Sequence, residues 1–257
     1  MKFSCQPTSF NDTLPRIRHA QPDQALRWLR AGWHDVRANP LPSLAYGLLF
    51  ALAGDLIILA LLEHPHLLTV AISAFFLVAP LLSAGLYVLS RALENGERPF
   101  FVDSIKGLRR NGQSLAIFGL ILALIALFWE RVTAVAFALI AIDSSASASA
   151  FLGEILFSGE HLAFTLTWFA LGGLLALFVF ALTVVSVPLM LDRDCDVATA
   201  MVTSVRAFTQ NGPPLLLWSG IIVGLTLLGF ATALFGLVLI MPILGHASWH
   251  AYRDLVE

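Results

Sequence analysis

The stretch Pro213–Trp249, PPLLLWSGIIVGLTLLGFATALFGLVLIMPILGHASW, decides the architecture of this chain. It is about twice as long as the roughly 20 apolar residues that a helix needs to cross the hydrocarbon core of a bilayer. One helix would leave the C-terminus on the far side of the membrane, whereas a hairpin would return it to the near side. We expect a hairpin that turns at Leu234-Phe235-Gly236, although this turn contains neither Pro nor Asn. A single span remains the alternative.

The composition of the whole chain is that of a membrane protein. Of its 257 residues, 58% are hydrophobic and 12% are charged, whereas a soluble domain carries about 25% charged residues. A globule of this size cannot bury so much apolar surface, so the remainder must face lipid. A soluble enzyme, a secreted disulfide scaffold and a disordered chain are therefore excluded. The two cysteines, Cys5 and Cys195, are expected in the reducing cytoplasm without a disulfide.

Apolar runs of spanning length recur along the chain, and together they predict an all-α, polytopic membrane protein. We predict six transmembrane helices arranged as three helical hairpins, with interfacial helices on the cytoplasmic side. Residues 1–23 are predicted to be a cytoplasmic N-terminal tail without a cleavable signal peptide, and residues 24–257 a single integral membrane domain. The predicted spans cover about 43–62, 67–90, 113–142, 162–191, 214–233 and 236–253.

A short internal repeat supports the three hairpins. Asn39, Asn111 and Asn211 each precede a hydrophobic span. Each asparagine has an apolar residue six positions before it, a basic or titratable residue five before it and an aromatic residue seven after it. These residues are Trp33, Ile105 and Val205, then His34, Lys106 and Arg206, then Tyr46, Phe118 and Trp218. Self-similarity at matching positions predicts three structurally equivalent units.

The distribution of positive charge predicts the orientation of the chain. Under the six-span arrangement all but one of the 15 Lys and Arg residues fall on one side of the membrane, and Arg131 is the exception. Cytoplasmic loops carry such an excess, so both termini are predicted to be cytoplasmic. A five-span arrangement is nearly as asymmetric, and charge alone does not separate the two.

Three cytoplasmic segments have the pattern of amphipathic helices: Gln24–Arg37, Phe100–Arg110 and Val197–Phe208. Apolar residues in the first of them recur at helical spacing, with cations between them, which is typical of a helix lying in the headgroup region. The predicted partners are membrane lipids, chiefly anionic ones. Packing on the cytoplasmic ends of the spans is the other interpretation, and the two are compatible. The basic residues concerned are Arg27, Arg30, Arg37, Lys106, Arg109 and Arg110.

Three ionisable residues fall within predicted spans: Asp55, Glu130 and Arg131. Charges within the bilayer are costly, so each residue is a candidate for function. Their distances from the repeat asparagines place them at similar depth in the outer half of the membrane. They could form a charged gate or bind protons. A structural ion pair between Asp55 and Arg131, or side chains that reach the outer interface, is the simpler interpretation.

His246 and His250 are four residues apart and therefore share one face of the last predicted helix. Two histidines without carboxylate or thiolate neighbours make an incomplete metal site, so we expect no metal or other cofactor. Polar packing contacts near the cytoplasmic interface, together with Trp249 and Tyr252, are the favoured interpretation. This end of the bundle lies far from Asp55 and Glu130, so the two polar groups cannot form one site.

An acidic cluster, Asp192, Asp194 and Asp196, precedes the third amphipathic segment. Carboxylates spaced by two residues could hold Mg²⁺ or Ca²⁺ on an extended chain. Their position before a helix instead favours N-cap and first-turn acids. No P-loop, nucleophile elbow or zinc-protease motif occurs in the sequence.

Three stretches resemble a bacterial family of predicted integral membrane proteins of unknown function, domain of unknown function 2189. They are RAGWHDVRANPLPSLAYGLLFAL, VSVPLMLDRDCD and GHASWHAYRDL. The resemblance implies an inner-membrane location in a Gram-negative bacterium and no assigned activity. Some relatives carry a cytochrome c oxidase subunit label, but the histidines here are too few on separate helices for a haem-copper core. The residues matched by motif are Asn39, Pro40, Asp192, Arg193, His246, His250, Tyr252 and Arg253.

The leading hypothesis is a non-enzymatic membrane scaffold or accessory subunit, because basic cytoplasmic segments occur without a catalytic constellation. It would bind lipid, another membrane protein or a second copy of itself, and no nucleic acid. A small transporter or channel that uses Asp55, Glu130 and Arg131 is the alternative, since internal repeats are typical of transport folds. A membrane enzyme built around Asp192–Asp196 and the two histidines of the last helix is a third hypothesis.

Overall fold

The computed structural model describes residues 14–61, 81–109, 111–141 and 162–257. These residues form α-helices, with an isolated β-bridge between Ile17 and Val256 and no β-strand, which confirms the all-α prediction. The helices are α1 (Gln24–Ala38), α2 (Pro40–Leu61), α3 (Ala84–Glu94), α4 (Phe101–Arg109), α5 (Gly112–Ala141), α6 (Leu162–Thr183), α7 (Ser186–Asp192), α8 (Val197–Gln210), α9 (Gly212–Ala231) and α10 (Leu237–Leu255). The helices α1, α4 and α8 coincide with the three predicted amphipathic segments.

Four helical segments among the described residues are long and apolar enough to cross a membrane: Pro40–Leu59, Gly112–Ala136, Leu162–Asp192 and Gly212–Ala231. They coincide with four of the six predicted spans. Most of the predicted second span lies outside the described residues, and α3 is its described end. The last helix, α10, is not among the four, and its second half carries two histidines, Arg253 and Asp254. The chain is thus an integral membrane protein with several apolar helices, and the full count of six stays a prediction.

The decisive tract divides into α9 and α10 at residues 232–236, where the sequence places the turn. Ala233 and Leu234 adopt left-handed φ values of 49° and 66°, which non-glycine residues rarely adopt. The Thr232 hydroxyl stabilises this turn, because it accepts a hydrogen bond from the Gly236 amide at 2.8 Å and donates one to the Gly229 carbonyl at 2.7 Å. Leu234 is 3% exposed and packs in a cluster with Phe50.

The two helices on either side of this turn are antiparallel. At the start of α9, the Asn211 amide donates to the Arg18 carbonyl at 3.1 Å. The Arg18 amide in turn donates to the Leu255 carbonyl, at the end of α10, at 2.9 Å. The beginning of α9 and the end of α10 therefore lie together. Part of the predicted N-terminal tail is docked at this end of the bundle, since Ile17 also pairs with Val256.

The central element is α10, which packs against α1, α2, α3 and α9. Two of these helices, α1 and α2, come close to α10 at a glycine. A Cβ on Gly32 of α1 would overlap the carbonyl oxygen of Ile243, and a Cβ on Gly47 of α2 would overlap that of Val238. In contrast, Gly220 and Gly224 have the spacing of a helix-packing motif. A Cβ added at either position would have no atom of another described helix within 4 Å. The Gly220/Gly224 motif therefore does not lie at a contact between described helices, whereas the single glycines Gly32 and Gly47 do.

The three repeat asparagines occupy equivalent environments. Each side-chain amide donates to a backbone carbonyl in the segment that precedes the amphipathic helix of the next unit. The asparagine of the third unit donates to the segment that precedes the amphipathic helix of the first unit. The bonds are Asn39 to Pro99 at 2.8 Å, Asn111 to Met190 at 2.6 Å and Asn211 to Arg18 at 3.1 Å. The aromatic residues seven positions on are all buried: Tyr46, Phe118 and Trp218.

Candidate functional site

A buried polar network surrounds His246, which is 0% exposed. The imidazole of this α10 residue lies between two other helices: its Nε2 is 2.9 Å from the Ser43 hydroxyl of α2, and its Nδ1 is 2.6 Å from the Ser90 hydroxyl of α3. Ser90 also donates to Asp35 Oδ2 of α1 at 2.7 Å. Four helices therefore contribute one polar group each.

Proton positions in this network follow from counting donors. Ser90 has one proton and gives it to the Asp35 carboxylate, so its oxygen accepts a hydrogen bond from Nδ1–H of His246. The Ser43 hydroxyl donates its proton to the Asn39 carbonyl at 2.8 Å, and its oxygen also lies within hydrogen-bond distance of His246 Nε2. His250, one turn further along α10, donates from Nε2 to the same Asp35 oxygen at 2.9 Å. The result is a continuous chain from His246 through Ser90 and Asp35 to His250.

Asp35 is the anionic centre of the network and its side chain is 10% exposed. Burial by itself would raise the pKa of this carboxyl, because it disfavours the charged form. The hydrogen bonds from His250 and Ser90 and the two neighbouring imidazoles act in the opposite direction and hold the pKa below its ordinary value. The carboxylate is therefore ionised at neutral pH, and its negative charge is compensated by donors from α3 and α10.

A second cluster adjoins the first around Asp192, the last residue of α7. Its carboxylate accepts from the Tyr252 hydroxyl at 2.8 Å and lies 3.3 Å from Arg91 Nε and 3.4 Å from Arg253 Nη1. Arg253 also contacts Glu94 at 3.3 Å, and Glu94 is 3.9 Å from His250 Nδ1. These contacts join the two clusters and bring the ends of α3, α7 and α10 together.

The arrangement is one in which polar groups satisfy each other across helices. The carboxylates of Asp35 and Asp192 are each contacted by side chains from at least two other helices. Within the part of the chain that is described, no group of three or more His, Cys, Asp or Glu residues is placed to hold a metal ion. Such a network contributes specificity of helix pairing, because removing any one member leaves a buried partner unsatisfied.

The structure distributes the predicted acidic cluster over different roles. Asp192 joins the network described above, whereas Asp194 is exposed. Asp196 is the N-cap of α8 and accepts from the Thr199 amide at 2.9 Å, as the N-cap interpretation expects. This backbone hydrogen bond is the main reason why the pKa of Asp196 lies below its ordinary value. The three carboxylates do not converge on one point.

The predicted intramembrane charges lie away from this network. Asp55 is twelve residues beyond Ser43 on α2, a distance of about 18 Å along a helix. It adjoins Gly54, which packs against Leu234 in the α9–α10 turn. Arg131 forms an ion pair with Glu130, its neighbour on α5, so the pairing with Asp55 that the sequence suggested is not the one observed. Asp55 therefore lies well apart from Ser43 and its contact with His246.

The predicted interfacial cations lie on the outer surface. Arg27 and Lys106 form exposed ion pairs with Asp23 and Asp103, and Arg37 lies over the Trp33 ring at 5.5 Å. Arg30 and Arg109 are exposed. Arg110 lies outside the described residues.

Sequence reasoning missed Asp35, Ser43, Ser90 and Glu94. For Asp35 a signal was available: it is seven residues after Trp28 and three after Gly32, on the buried face of α1. A carboxylate on the inner face of an amphipathic helix requires a partner there. Serines within apolar helices are common enough that Ser43 and Ser90 carried no such signal, and Glu94 falls in a segment that reads as an ordinary polar loop.

Comparison with known proteins identifies one family. Residues 67–192 match the model of the family described as "Predicted integral membrane protein (DUF2189)". The description names no activity, and the oxidase label of some relatives gains no support from it. No curated protein and no solved structure matches the chain. The matched segment includes α3 to α7 and therefore Ser90, Arg91, Glu94 and Asp192, whereas Asp35 and both network histidines lie outside it.

Proposed function

We propose that the chain, whose residues 67–192 match the model of the DUF2189 family of predicted integral membrane proteins, is a non-enzymatic scaffold or accessory subunit of the bacterial inner membrane. The observation that carries this proposal is the internally satisfied network around Asp35 and Asp192. Its ionisable groups connect helices and are thereby committed to structure. A catalytic or transport site needs such groups presented to a ligand instead.

The arrangement of helix ends supports six spans in three hairpins. At the α7 end, Met190 accepts from Asn111 at the start of α5. Asp192 at the same end contacts Arg91 in α3 and Arg253 in α10. The starts of outgoing helices and the ends of returning helices thus gather at one end of the bundle. In the proposed orientation this end faces the cytoplasm, since nearly all Lys and Arg residues lie there.

The three units close on themselves through the first and last helices of the chain. α1 packs along α10, and Trp28 Nε1 donates to Asp254 Oδ2 at 2.8 Å. Closure leaves apolar outer faces on α2, α5 and α9, with exposed leucines such as Leu56, Leu124 and Leu227. These faces suit lipid and also a neighbouring membrane protein or a second copy of the chain.

A transporter that uses Asp55, Glu130 and Arg131 is not favoured. Arg131 is paired with its own neighbour Glu130, and its side chain is 77% exposed on the outside of the bundle. A long cationic side chain on the outside of the bundle can extend to the membrane surface. It is poorly placed to line a transport pathway through the centre of the bundle.

Photo-cross-linking in native membranes tests the scaffold proposal. A cross-linker at Leu124, on the outer face of α5, should give a discrete complex with one membrane protein or with a second copy. A cross-linker on buried Leu122 of the same helix is the matched control and should give none. Cross-linking to lipid alone from all three outer faces, with membrane complexes unchanged after deletion of the gene, would refute it. A reporter fused after Glu257 should be active in the cytoplasm.

A further inference from the structure

The amphipathic helices α1, α4 and α8 present the same outward pattern. Seven positions before each repeat asparagine is a small buried residue: Gly32, Ser104 and Ser204. The next residue in each helix is apolar and exposed: Trp33 at 40%, Ile105 at 40% and Val205 at 36%. The residue after that is His34, Lys106 or Arg206. Each helix therefore turns one apolar side chain and an adjacent basic or titratable side chain outward.

These outward pairs lie at one level of the bundle. Each amphipathic helix ends one or two residues before its asparagine, and α2, α5 and α9 begin directly after Asn39, Asn111 and Asn211. All three asparagines are fixed by hydrogen bonds to neighbouring units. Because the three candidate spans start at equivalent points, the residues just before them occupy the entry level of the membrane. We call the exposed residues Trp33, Arg37, Ile105, Lys106, Arg109 and Val205, together with the half-buried Arg206, the collar.

Three arginines of the collar differ from other cations of the chain in having no carboxylate partner among the described residues. Arg91 and Arg253 have their carboxylate partners in Asp192 and Glu94, and Arg131 at the other end has Glu130. In the described part of the chain, no carboxylate lies within 4.0 Å of Arg37, Arg109 or Arg206. Arg91, Arg131 and Arg253 are neutralised by carboxylates, and Lys106 of the collar by Asp103. Three arginines of the collar, Arg37, Arg109 and Arg206, are left for an external anion.

We infer that the collar binds the headgroups of anionic phospholipids in the membrane that holds the chain. The apolar member of each pair enters the boundary between headgroups and acyl chains, and the adjacent cations contact phosphate. Arg37 stacked on Trp33 at 5.5 Å is suited to this level, because tryptophan and arginine both combine an apolar body with a polar end. The inference rests on the proposed membrane placement and names lipid as one partner of the scaffold.

The test measures which lipids the full chain retains. The protein is reconstituted in phosphatidylcholine bilayers that contain a minority of phosphatidylglycerol, re-extracted in mild detergent, and its bound lipids are counted by mass spectrometry. Each cation near the surface favours anionic lipid about fivefold. The wild-type chain should therefore retain phosphatidylglycerol several-fold above its bulk share, and added salt should lower the enrichment.

The variant that tests the collar combines Arg37→Gln, Arg109→Gln and Arg206→Gln, and it should bring the retained lipids close to the bulk ratio. Arg131→Gln removes one cation from the opposite end and should leave the enrichment as in wild type. Arginine-to-lysine changes at the three collar positions keep the charge and should keep the enrichment, which separates loss of charge from loss of folding. Bulk-ratio lipid on the wild-type chain, or undiminished enrichment in the triple glutamine variant, would overturn the inference.

The cross-linking experiment tests the scaffold proposal separately, so failure of the scaffold proposal and failure of the collar inference give different results. A discrete protein complex without lipid selectivity overturns the collar alone. Lipid selectivity on a chain that is always monomeric supports the collar and counts against the scaffold.

Discussion

Replacing Asp35 by alanine removes the anionic centre of the buried network. The carboxylate accepts hydrogen bonds from Ser90 at 2.7 Å and from His250 at 2.9 Å, and each charged hydrogen bond contributes about 1.5–3 kcal/mol. The variant recovers the cost of burying the charge but leaves both donors without their acceptor, while His246 keeps its contacts with Ser43 and Ser90. We expect a loss of about 3–5 kcal/mol in the free energy of unfolding, as when one partner of a buried pair is removed.

Thermal unfolding of the full chain in detergent provides the measurement. A loss of this size should lower the apparent melting temperature by about 10 °C in a chain of this length. Asp23→Ala, at the N-cap of the same helix, is the matched control, since its carboxylate is 70% exposed and its one ion pair among the described residues is with Arg27. Removing an exposed ion pair should cost about 1 kcal/mol or less.

The pH dependence supplies a second criterion. The pKa of Asp35 is lower in the folded chain than its ordinary value, so its stabilisation is present above the unfolded pKa, near 3.9, and is lost as the pH falls through the folded pKa. The difference between wild type and Asp35→Ala should be full at neutral pH and should close on acidification below about pH 4. A difference no larger than that of Asp23→Ala, or one that persists unchanged in acid, would refute the reasoning.

Four further variants can be measured in the same melting assay. Asp196→Ala should cost about 1 kcal/mol through loss of the α8 N-cap. Since the Thr199 amide lowers the pKa of Asp196, this effect should vanish in acid. An effect independent of pH would contradict the capping role. Gly47→Ala should cost about 1–3 kcal/mol because the new methyl group meets the α10 backbone, whereas Gly220→Ala, in an open position, should be neutral or stabilising by up to about 1 kcal/mol; equal effects would refute the close approach. Tyr252→Phe removes the hydroxyl that donates to the Asp192 carboxylate and should cost about 1 kcal/mol, and an unchanged melting temperature would show that the hydrogen bond contributes nothing.

The histidine spacing shows where sequence reasoning was sufficient and where it stopped. Because His246 and His250 are four residues apart, the helix places them on one face, and the predicted six-span topology places them at the opposite end of the bundle from Asp55. That they share Asp35 could not be predicted in this way, since His250 and Asp35 are 215 positions apart. Their contact depends on α1 packing along α10, which the absence of a side chain at Gly32 permits.

The amino-acid sequence by itself determined the helical class, the four apolar segments long enough to cross a membrane, and the division of the last tract near Leu234. These properties are local: hydrophobic transfer free energy adds up residue by residue, and a run of about 20 apolar residues is sufficient to define a spanning helix. Only the tertiary structure decided which polar group meets which. Hydrogen bonds and ion pairs act over a few ångströms, so the partners of Asp35 and Asp192 depend on how whole helices are placed against each other, and sequence distance carries no record of that placement.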